Sequence, residues 1–348
     1  MPDVFPHLYG EALLRRPDND EKNMHCDLAK RRLETAVLTV ESCPSPVLVV
    51  LACAAALLIG CESSARTPTR IESTSETPVQ DGSVPLGQRG DWRLMFSDEF
   101  EGSNFDRDNW TTCYWWGQDG CTIASNDELQ WYQSDEVLVE EGVLKLRARK
   151  RQVDGYDSGT EKSTTFDYTS GMVTSGRGSS DESQTAGFVF QYGYVEMRAR
   201  IPSGKGFWPA FWLLPIDHSS KPEIDVMEIY GDEPNIIKMN FHYLDESDRH
   251  QNPNEAWTGP DFSRDFHVYA VDWQPDRIIW YVDGVERWRY SDIAYVPNLP
   301  MYLLANLAVG GAGAGTPDAS TMFPGIYAID HIKVWCRRGQ ICLSFGGS

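Results

Sequence analysis

Alternation of apolar and charged residues with a period of two is the feature that most restricts the fold of this chain. In residues 142–150 the apolar Leu144 and Leu146 flank Lys145, and residues 194–201 continue the same pattern. Successive side chains of a β-strand point to opposite faces, so both segments predict strands with one buried face. No stretch of 12 or more residues keeps a helical period. We therefore predict an all-β protein.

A second local signal indicates how the strands are joined. Asp283-Gly284 separates two apolar and aromatic runs within residues 278–290. Asp-Gly is favoured at the centre of two-residue hairpin turns, so this segment predicts a β-hairpin. Many short strands with turn residues between them predict a sandwich of two antiparallel sheets. We assign this domain to residues 90–338, a span of roughly 250 residues that single sandwiches can reach.

The beginning of the chain differs from this pattern. Residues 47–60 form an apolar run, which is shorter than the roughly 20 residues of a membrane-spanning helix and suits a secretory signal. The run ends in Leu58-Ile59-Gly60-Cys61, which resembles a bacterial lipobox, where the cysteine is acylated and becomes the first mature residue. A simple cleaved signal and a buried core helix are the alternatives.

These features predict how the chain is divided. Residues 1–61 are expected to be a leader with a lipoprotein-type signal peptide, and Cys61 the lipid anchor. Residues 62–89 are rich in Ser, Thr, Pro and Glu, which predicts a flexible tether. Residues 339–348 are expected to be a C-terminal tail. We expect an exported lipoprotein of the outer membrane or cell surface, bound to the membrane through its anchor only.

The net charge of −20 restricts the ligands. An acidic surface repels nucleic acid and anionic lipid, so we expect neither as a partner. This charge suits an extracytoplasmic enzyme with a neutral substrate, and we expect a monomer.

Four cysteines follow the anchor residue. Four cysteines allow three disulfide pairings. In an exported protein we expect the local pairs Cys113–Cys121 and Cys336–Cys342. Four free thiols are the alternative.

Tryptophan is abundant, with 12 in the chain and 11 of them between Trp92 and Trp288. The apolar face of a sugar ring packs on an aromatic ring while its hydroxyls bind polar groups, so Trp beside Asn and Glu predicts a polysaccharide groove. Filling the sandwich core is the alternative role. Trp208, between Gly206 and Pro209 and close to an acidic segment, favours the groove.

Three carboxylates lie close together in EIDVME, residues 223–228. In a regular strand Glu223 and Asp225 share a face and Glu228 points away. A β-bulge at Val226-Met227 would return Glu228 to the common face. Two carboxyls about 5–5.5 Å apart, one nucleophilic and one acidic, are what a retaining glycosidase requires. A solvent-facing acidic strand or a calcium site are the alternatives.

The segments GKGFWPAFWLLP and PEIDVMEIYG, residues 204–215 and 222–231, resemble the catalytic region of glycoside hydrolase family 16. Its laminarinase-like members carry Glu-x-Asp-x-x-Glu with the bulge. The resemblance extends over nearly the whole domain, through MFSDEF (95–100), ASNDELQWY (124–132), YTSGMVTS (168–175), YGYVEMRARIP (192–202), FHVYAVDW (266–273), LANLAVGG (304–311) and AIDHIKVW (328–335).

The resemblance implies a β-jelly roll whose concave face forms the substrate cleft. It implies a retaining endo-hydrolase that cleaves β-1,3 or mixed β-1,3/1,4-glucan by double displacement, without a cofactor for catalysis. Glu223 matches the family's nucleophile, Asp225 the assisting acid and Glu228 the general acid/base.

Further residues are implied in the same way. The substrate-binding candidates are the cleft tryptophans Trp208 and Trp212, a glycone-side loop with Asn126 and Glu128, and His242 on the strand beside the catalytic one. Arg198 lies on the polar face of its own strand by alternation and is expected to point into the cleft. For His242, an ordinary buried histidine is the alternative. A structural calcium is implied at Asp330 and the carbonyl of Gly142, with Glu99 as a further ligand.

One segment departs from the family pattern. Laminarinases commonly follow NLAVGG with Asn-Trp-Pro-Gly, whereas residues 312–325 read AGAGTPDASTMFPG and contain no Trp. This departure argues against strict laminarin specificity. Two alternatives therefore remain. One is a transglycosylase, and the other is a depolymerase of another β-linked polysaccharide such as a succinoglycan-type chain or a galactan. A non-catalytic lectin-like sandwich is a third class, which the intact acid triplet disfavours.

Overall fold

The protein, described by a computed structural model for residues 84–117, 121–157, 162–181 and 183–346, is built from strands. In chain order these are β1 (Trp92–Asp98), β2 (Gln130–Tyr132), β3 (Val137–Glu140), β4 (Val143–Asp157), β5 (Lys162–Ser170), β6 (Met172–Thr174), β7 (Phe188–Gln191), β8 (Gly193–Arg200), β9 (Phe207–Pro215), β10 (Glu223–Ile229), β11 (Ile236–Leu244), β12 (His250–Gln251), β13 (Asn254–Thr258), β14 (His267–Gln274), β15 (Arg277–Val282), β16 (Val285–Tyr290), β17 (Met301–Val309), β18 (Gly325–Arg337) and β19 (Leu343–Gly346). The helical segments of these ranges are two 3-10 turns, Ala124–Asn126 and Ser134–Glu136.

The strands form two sheets that pack into a sandwich. Sheet I has the order β16-β15-β14-β8-β18-β4-β5-β2, with β1 beside β18 and β3 beside β4. Sheet II has the order β12-β11-β10-β9-β17-β7-β19, with β13 beside β11 and β6 beside β17. The β2–β5 pair is parallel. Neighbours that are distant in sequence, such as β9 and β17, are typical of a jelly roll. The all-β sandwich prediction is confirmed.

Both predicted alternations place their apolar residues in the core. Leu144 and Leu146 of β4, and Val195 and Met197 of β8, are fully buried between the sheets. Burying one such side chain contributes roughly 1.5–3 kcal/mol to stability. The alternation therefore fixes which face of each strand turns inward.

The predicted hairpin is also confirmed. Val282 at the end of β15 pairs with Val285 at the start of β16. The turn residues Asp283 and Gly284 both have positive φ, 50° and 73°. Such turns match the right-handed twist of the flanking strands. A Cβ on Gly284 would lie 2.9 Å from Gly87, so this close approach also requires glycine.

The domain boundaries differ from the prediction at both ends. Leu86, predicted to lie in the tether, donates its main-chain N–H to Glu196 Oε2 at 3.1 Å. At the other end the predicted tail supplies β19, which pairs with β7 at the edge of sheet II. Cys336 is joined to Cys342, with their Cα atoms 5.9 Å apart, so the chain turns back towards the sandwich.

The remaining predictions about the ends lie largely outside the described residues. These include the leader, the anchor Cys61 and the tether up to residue 83. Within the ranges that the structure describes, no helix is long and apolar enough to cross a membrane.

Candidate active site

Strand β10 carries the bulge that the acid spacing predicts. On its β9 side Asp225 lies opposite Trp212, but Met227 lies opposite Phe211, so Val226 is an extra residue. On its β11 side the register of β10 also shifts, between Asp225 and Glu228. The predicted bulge is confirmed.

The bulge brings the three acids to one face of sheet II. Ile224 and Met227 are fully buried in the core between the sheets. Glu223, Asp225 and Glu228 point to the opposite face, which is turned away from that core, and their partners come from neighbouring strands of the same sheet. Without the extra residue, Glu228 would be directed into the core.

Glu228 is held between two donors. Trp208 Nε1 donates to Oε1 at 2.9 Å, and Asn240 Nδ2 donates to Oε2 at 2.5 Å. Burial, followed by the negative charges of Asp225 and Glu223, raises the pKa of Glu228 to about 8, against the lowering effect of the Trp208 bond. Glu228 is therefore protonated at neutral pH.

The pKa of Glu223 is shifted in the opposite direction. Burial alone would raise its pKa, but the electrostatic influence of Lys221 and then of His242, together with hydrogen bonds to Lys221 and Asp225, holds that pKa below the ordinary 4.5. Lys221 Nζ lies 2.8 Å from Glu223 Oε2, and the two side chains are only 16% and 20% exposed. Glu223 is therefore ionised when Glu228 is protonated.

Asp225 connects Glu223 to a pair of histidines. Burial, and then the charge of Glu223 and a hydrogen bond with Glu223, raise the pKa of Asp225 well above its usual range. His242 Nε2 lies 3.2 Å from Asp225 Oδ2, and His242 Nδ1 lies 2.8 Å from His250 Nε2. Burial lowers the pKa of His242, which favours its neutral form. These contacts connect Asp225, beside Glu223, to both histidines.

The profile of the glycosyl hydrolases family 16 matches residues 125–330, which is more than half of the chain and contains all three acids. The chain belongs to this family. The family 16 resemblance stated from the motifs is confirmed.

Three relatives of this family 16 chain are named as a β-glycanase, a β-glucanase and an endo-β-1,3-glucanase. The endo-1,3-1,4-beta-glycanase EglC of Rhizobium meliloti (strain 1021) is 35% identical over 69% of this chain and 51% of the relative. The beta-glucanase of Rhodothermus marinus is 31% identical over 70% of this chain and 85% of the relative. The X-ray structure of endo-beta-1,3-glucanase from Pyrococcus furiosus is similar with a TM-score of 0.58 and 35% identity, over 70% of this chain and 94% of that one. This chain thus spans about half the length of the Rhizobium relative, 51%.

The two tryptophans predicted for the cleft of this family 16 chain have different environments. Trp208 is partly exposed, and its ring meets Tyr230 edge to face with the centroids 5.5 Å apart. Trp212 is only 8% exposed, and its Nε1 donates to Asn306 Oδ1 at 2.8 Å. Trp208 can therefore offer a face to a sugar ring, whereas Trp212 packs beneath the site.

The loop that carries Asn126 and Glu128 lies against Trp208. A Cβ on Gly311 would be 2.9 Å from the Trp208 ring and 3.2 Å from the carbonyl of Asn126. Glu128 is buried and accepts hydrogen bonds from Asn126 at 3.1 Å and Gln130 at 2.5 Å. Burial raises the pKa of Glu128 to about 7. Asn126 thus lies at the site, and Glu128 supports its loop from below.

The prediction that Arg198 points into the cleft is wrong. Arg198 is in β8 of sheet I, between the buried Met197 and Ala199, and so faces away from the core. Its guanidinium pairs with Asp330 at 3.1 Å and lies over Phe266 at 4.8 Å. The acids occupy the outer face of sheet II, on the other side of the sandwich. Alternation assigns Arg198 to the polar face of its strand but does not say which sheet contains that strand.

The predicted calcium ligands already have cationic or polar partners. Asp330 is 3.1 Å from Arg198 and 3.0 Å from His331, and Glu99 is 2.8 Å from Lys333. As arranged here, these carboxylates do not fit a calcium ion, since their negative charge is already compensated. Near Gly142 the carboxylate of Glu101 lies 3.8 Å from a Cβ built on the glycine.

One group of metal-ligating side chains occurs among the described residues. The ligand atoms of Glu223, Asp225 and His242 all lie within 4.8 Å of one another. The ammonium group of Lys221 contacts Glu223 and already supplies a positive charge there. This group therefore fits an acid network better than a metal centre.

Three residues of the site were missed from the sequence. Lys221 stands two positions before Glu223, so period two could have placed it on the same face. Asn240 and His250 belong to other strands, and their contacts depend on strand pairing that the sequence pattern does not reveal.

Trp208 should affect both substrate binding and the protonation of Glu228. We expect Trp208→Ala to lower kcat/KM on glucan about ten- to a hundredfold, if a sugar stack is worth about 1–3 kcal/mol as base stacking is. Trp208→Phe keeps a ring but removes the hydrogen bond that lowers the pKa of Glu228. The alkaline limb of its kcat/KM profile should therefore move to higher pH. Trp257→Phe is the control on another strand. Unchanged kinetics in folded Trp208 variants would show that Trp208 does not contact substrate.

Proposed function

We propose that this protein is a retaining endo-β-glucanase that cleaves β-1,3 or mixed β-1,3/1,4-glucan. The observation that carries the proposal is the bulged strand that places Glu223 and Glu228 on one face, with Lys221 paired to the first and Trp208 and Asn240 bonded to the second. Glu223 is paired with Lys221 and ionised, whereas the pKa of Glu228 is about 8. An ionised nucleophile beside a protonated acid is what the first step of retention requires.

In the first step Glu223 attacks the anomeric carbon while Glu228 protonates the departing glycosidic oxygen. The glycosidic bond breaks and an ester to Glu223 forms. Ester formation removes the negative charge of Glu223, which had helped to raise the pKa of Glu228. The pKa of Glu228 therefore falls, so Glu228 stays ionised after it has protonated the leaving group and can take a proton from water in the second step. The water oxygen bonds to the anomeric carbon, the ester breaks, and the ionised Glu223 and protonated Glu228 are restored.

The relatives support this substrate class. EglC is named an endo-1,3-1,4-beta-glycanase, and the Pyrococcus structure is an endo-beta-1,3-glucanase. Laminarin, lichenan and agarose distinguish the candidate linkages. We expect the purified protein to release reducing ends from laminarin or lichenan, with oligosaccharides of several lengths appearing early. No release from any β-glucan would refute the proposal.

A second candidate is a transglycosylase or a depolymerase of another β-linked polysaccharide. It is favoured by the segment after β17, which lacks the family's Trp. A Cβ on Gly313 of this segment would collide with the Tyr230 hydroxyl, so the loop packs closely against Tyr230. Products longer than the oligosaccharides supplied would identify transglycosylation. A lectin-like role would require sugar binding without any bond cleavage.

We further propose that Cys61 anchors the protein to the membrane through an acyl chain. The lipobox-like residues Leu58-Ile59-Gly60-Cys61 support this proposal. Cells expressing the full chain should incorporate a labelled fatty acid into the protein, and Cys61→Ala should abolish that label. Cys113→Ala is the control. An unlabelled wild type, or label that persists in Cys61→Ala, would contradict the anchor.

We also propose a test for the structural calcium. Because the carboxylate of Asp330 already pairs with Arg198, we expect a chelator to leave the Tm of the wild type unchanged. An ion at a hundredfold excess over its Kd would stabilise the native state by about 2.7 kcal/mol. A chelator that lowers the Tm of the wild type and of the control Asp276→Ala, but not that of Asp330→Ala, would show that an ion displaces Arg198 from Asp330.

A further inference from the structure

Arg177 is a partly buried cation without a carboxylate partner. Its guanidinium donates from Nη1 to the carbonyl of Asp181 at 3.4 Å and from Nη2 to His218 Nε2 at 2.6 Å. Within the described ranges no carboxylate oxygen lies at ion-pair distance from it. Besides local hydrogen bonds, the charge of Arg177 lowers the pKa of Asp181, but the carboxylate of Asp181 is fully exposed and forms no ion pair with the guanidinium. In a chain with a net charge of −20, an arginine without a carboxylate at ion-pair distance is unexpected.

Two N–H donors of this pair have no acceptor. Because Arg177 donates to His218 Nε2, the proton of the neutral imidazole is on Nδ1. His218 Nδ1 and Arg177 Nε are both screened from solvent, and neither has a hydrogen-bond partner. Buried donors without acceptors are rare in folded proteins and reduce stability, so their retention calls for an explanation. A hydrogen-bond acceptor would satisfy these donors, and an acceptor with negative charge would also compensate the guanidinium.

The pair lies near the catalytic acids. A Cβ on Gly176, the residue before Arg177, would touch the Tyr302 ring at 2.7 Å. Tyr302 pairs with Leu214 of β9 and so shares the face of sheet II that carries the acids. Burial has the largest effect on the pKa of Tyr302 and raises it. The next effects are the negative charge of Glu223, which raises this pKa, and the positive charge of Arg177, which lowers it. Tyr302 thus lies within electrostatic range of both.

An aromatic ring completes the group. Trp115 lies against His218 with ring centroids 4.7 Å apart. Both Trp115 and His218 are partly exposed. A sugar ring could pack on Trp115 while a substituent of that ring reaches the guanidinium.

We propose that Arg177 and His218, beside Trp115, form a subsite for a carboxylate carried by the polysaccharide. The proposal rests on the proposed glucanase function and adds a charge preference to it. A carboxylate accepts two N–H bonds from an arginine in a matched fork and compensates its charge, whereas a hydroxyl accepts less strongly and carries no charge. The subsite would therefore favour an acidic sugar over a neutral one.

The test compares lichenan with lichenan sparsely oxidised at C6 to carboxylate. The quantity measured is the ratio of kcat/KM for the oxidised polymer to that for the neutral polymer. We expect Arg177→Met to lower this ratio about tenfold, which corresponds to about 1.4 kcal/mol. Added salt should lower the wild-type ratio because it screens the ion pair. Arg264→Met removes the same charge from an 83% exposed side chain and should leave the ratio unchanged.

The outcomes separate the subsite from the activity itself. An equal ratio in wild type and Arg177→Met would overturn the subsite, as would an equal fall in Arg264→Met. If Arg177→Met does not fold, Arg177→Lys keeps the charge but loses the fork, and its ratio should fall by a smaller factor. A wild type that releases no reducing ends from either polymer refutes the glucanase proposal instead.

Discussion

Replacing Glu223 with alanine should lower kcat on glucan by on the order of 10⁵–10⁶-fold, the scale expected when a covalent nucleophile is lost. No ester can then form, so an activated aryl β-glucoside should also fail to react unaided. Azide can occupy the space that the carboxylate leaves and attack the anomeric carbon from that side. The product should be an α-glycosyl azide, which NMR identifies by its anomeric coupling constant.

Two variants serve as controls for this result. Glu233→Ala removes a glutamate whose side chain is 52% exposed and should leave the kinetics unchanged. Asp225→Asn keeps the size and hydrogen bonding of Asp225, so its loss should be much smaller than that of Glu223→Ala. A β-glycosyl azide from Glu223→Ala would show that Glu223 is not the nucleophile.

Replacing Glu228 with alanine should lower kcat on glucan about 10²–10⁴-fold, because general acid catalysis of the leaving group is lost. An aryl glycoside with a good leaving group needs little protonation, so it should still form the glycosyl-enzyme. Breakdown of that ester would be slow, since no base remains to activate water. Azide needs no base and should restore turnover, giving a β-glycosyl azide. Near-normal glucan hydrolysis in both Glu223→Ala and Glu228→Ala would show that the acid triplet is structural.

The pH profile gives an independent check on Glu228. The reaction requires Glu228 protonated, so wild-type kcat/KM should fall above pH about 8, the value of its pKa. It also requires Glu223 ionised, so the acid limb should lie below pH 4.5. In Glu228→Ala the alkaline limb on an activated substrate should disappear. An alkaline limb that persists there would assign that ionisation to another group.

The sequence by itself determined the strands and the order of the acids. Period two in residues 142–150 and 194–201 fixed which side chains are buried, because adjacent residues of a strand cannot share a face. The spacing of Glu223, Asp225 and Glu228 required a bulge for the same reason, and the bulge is present. These features depend on neighbours along the chain, which a sequence states directly.

What the acids contact was decided only by the tertiary structure. Asn240 reaches Glu228 from β11, and Trp208 reaches it from β9, through strand pairing that no local pattern encodes. The same limit explains the error over Arg198, whose polar face was predicted correctly but lies on sheet I. It also explains why Arg177 and His218, 41 positions apart, were not recognised as a pair. Local sequence sets the direction of a side chain relative to its own strand, whereas its partners, and therefore its charge state, depend on which strands become neighbours in the folded chain.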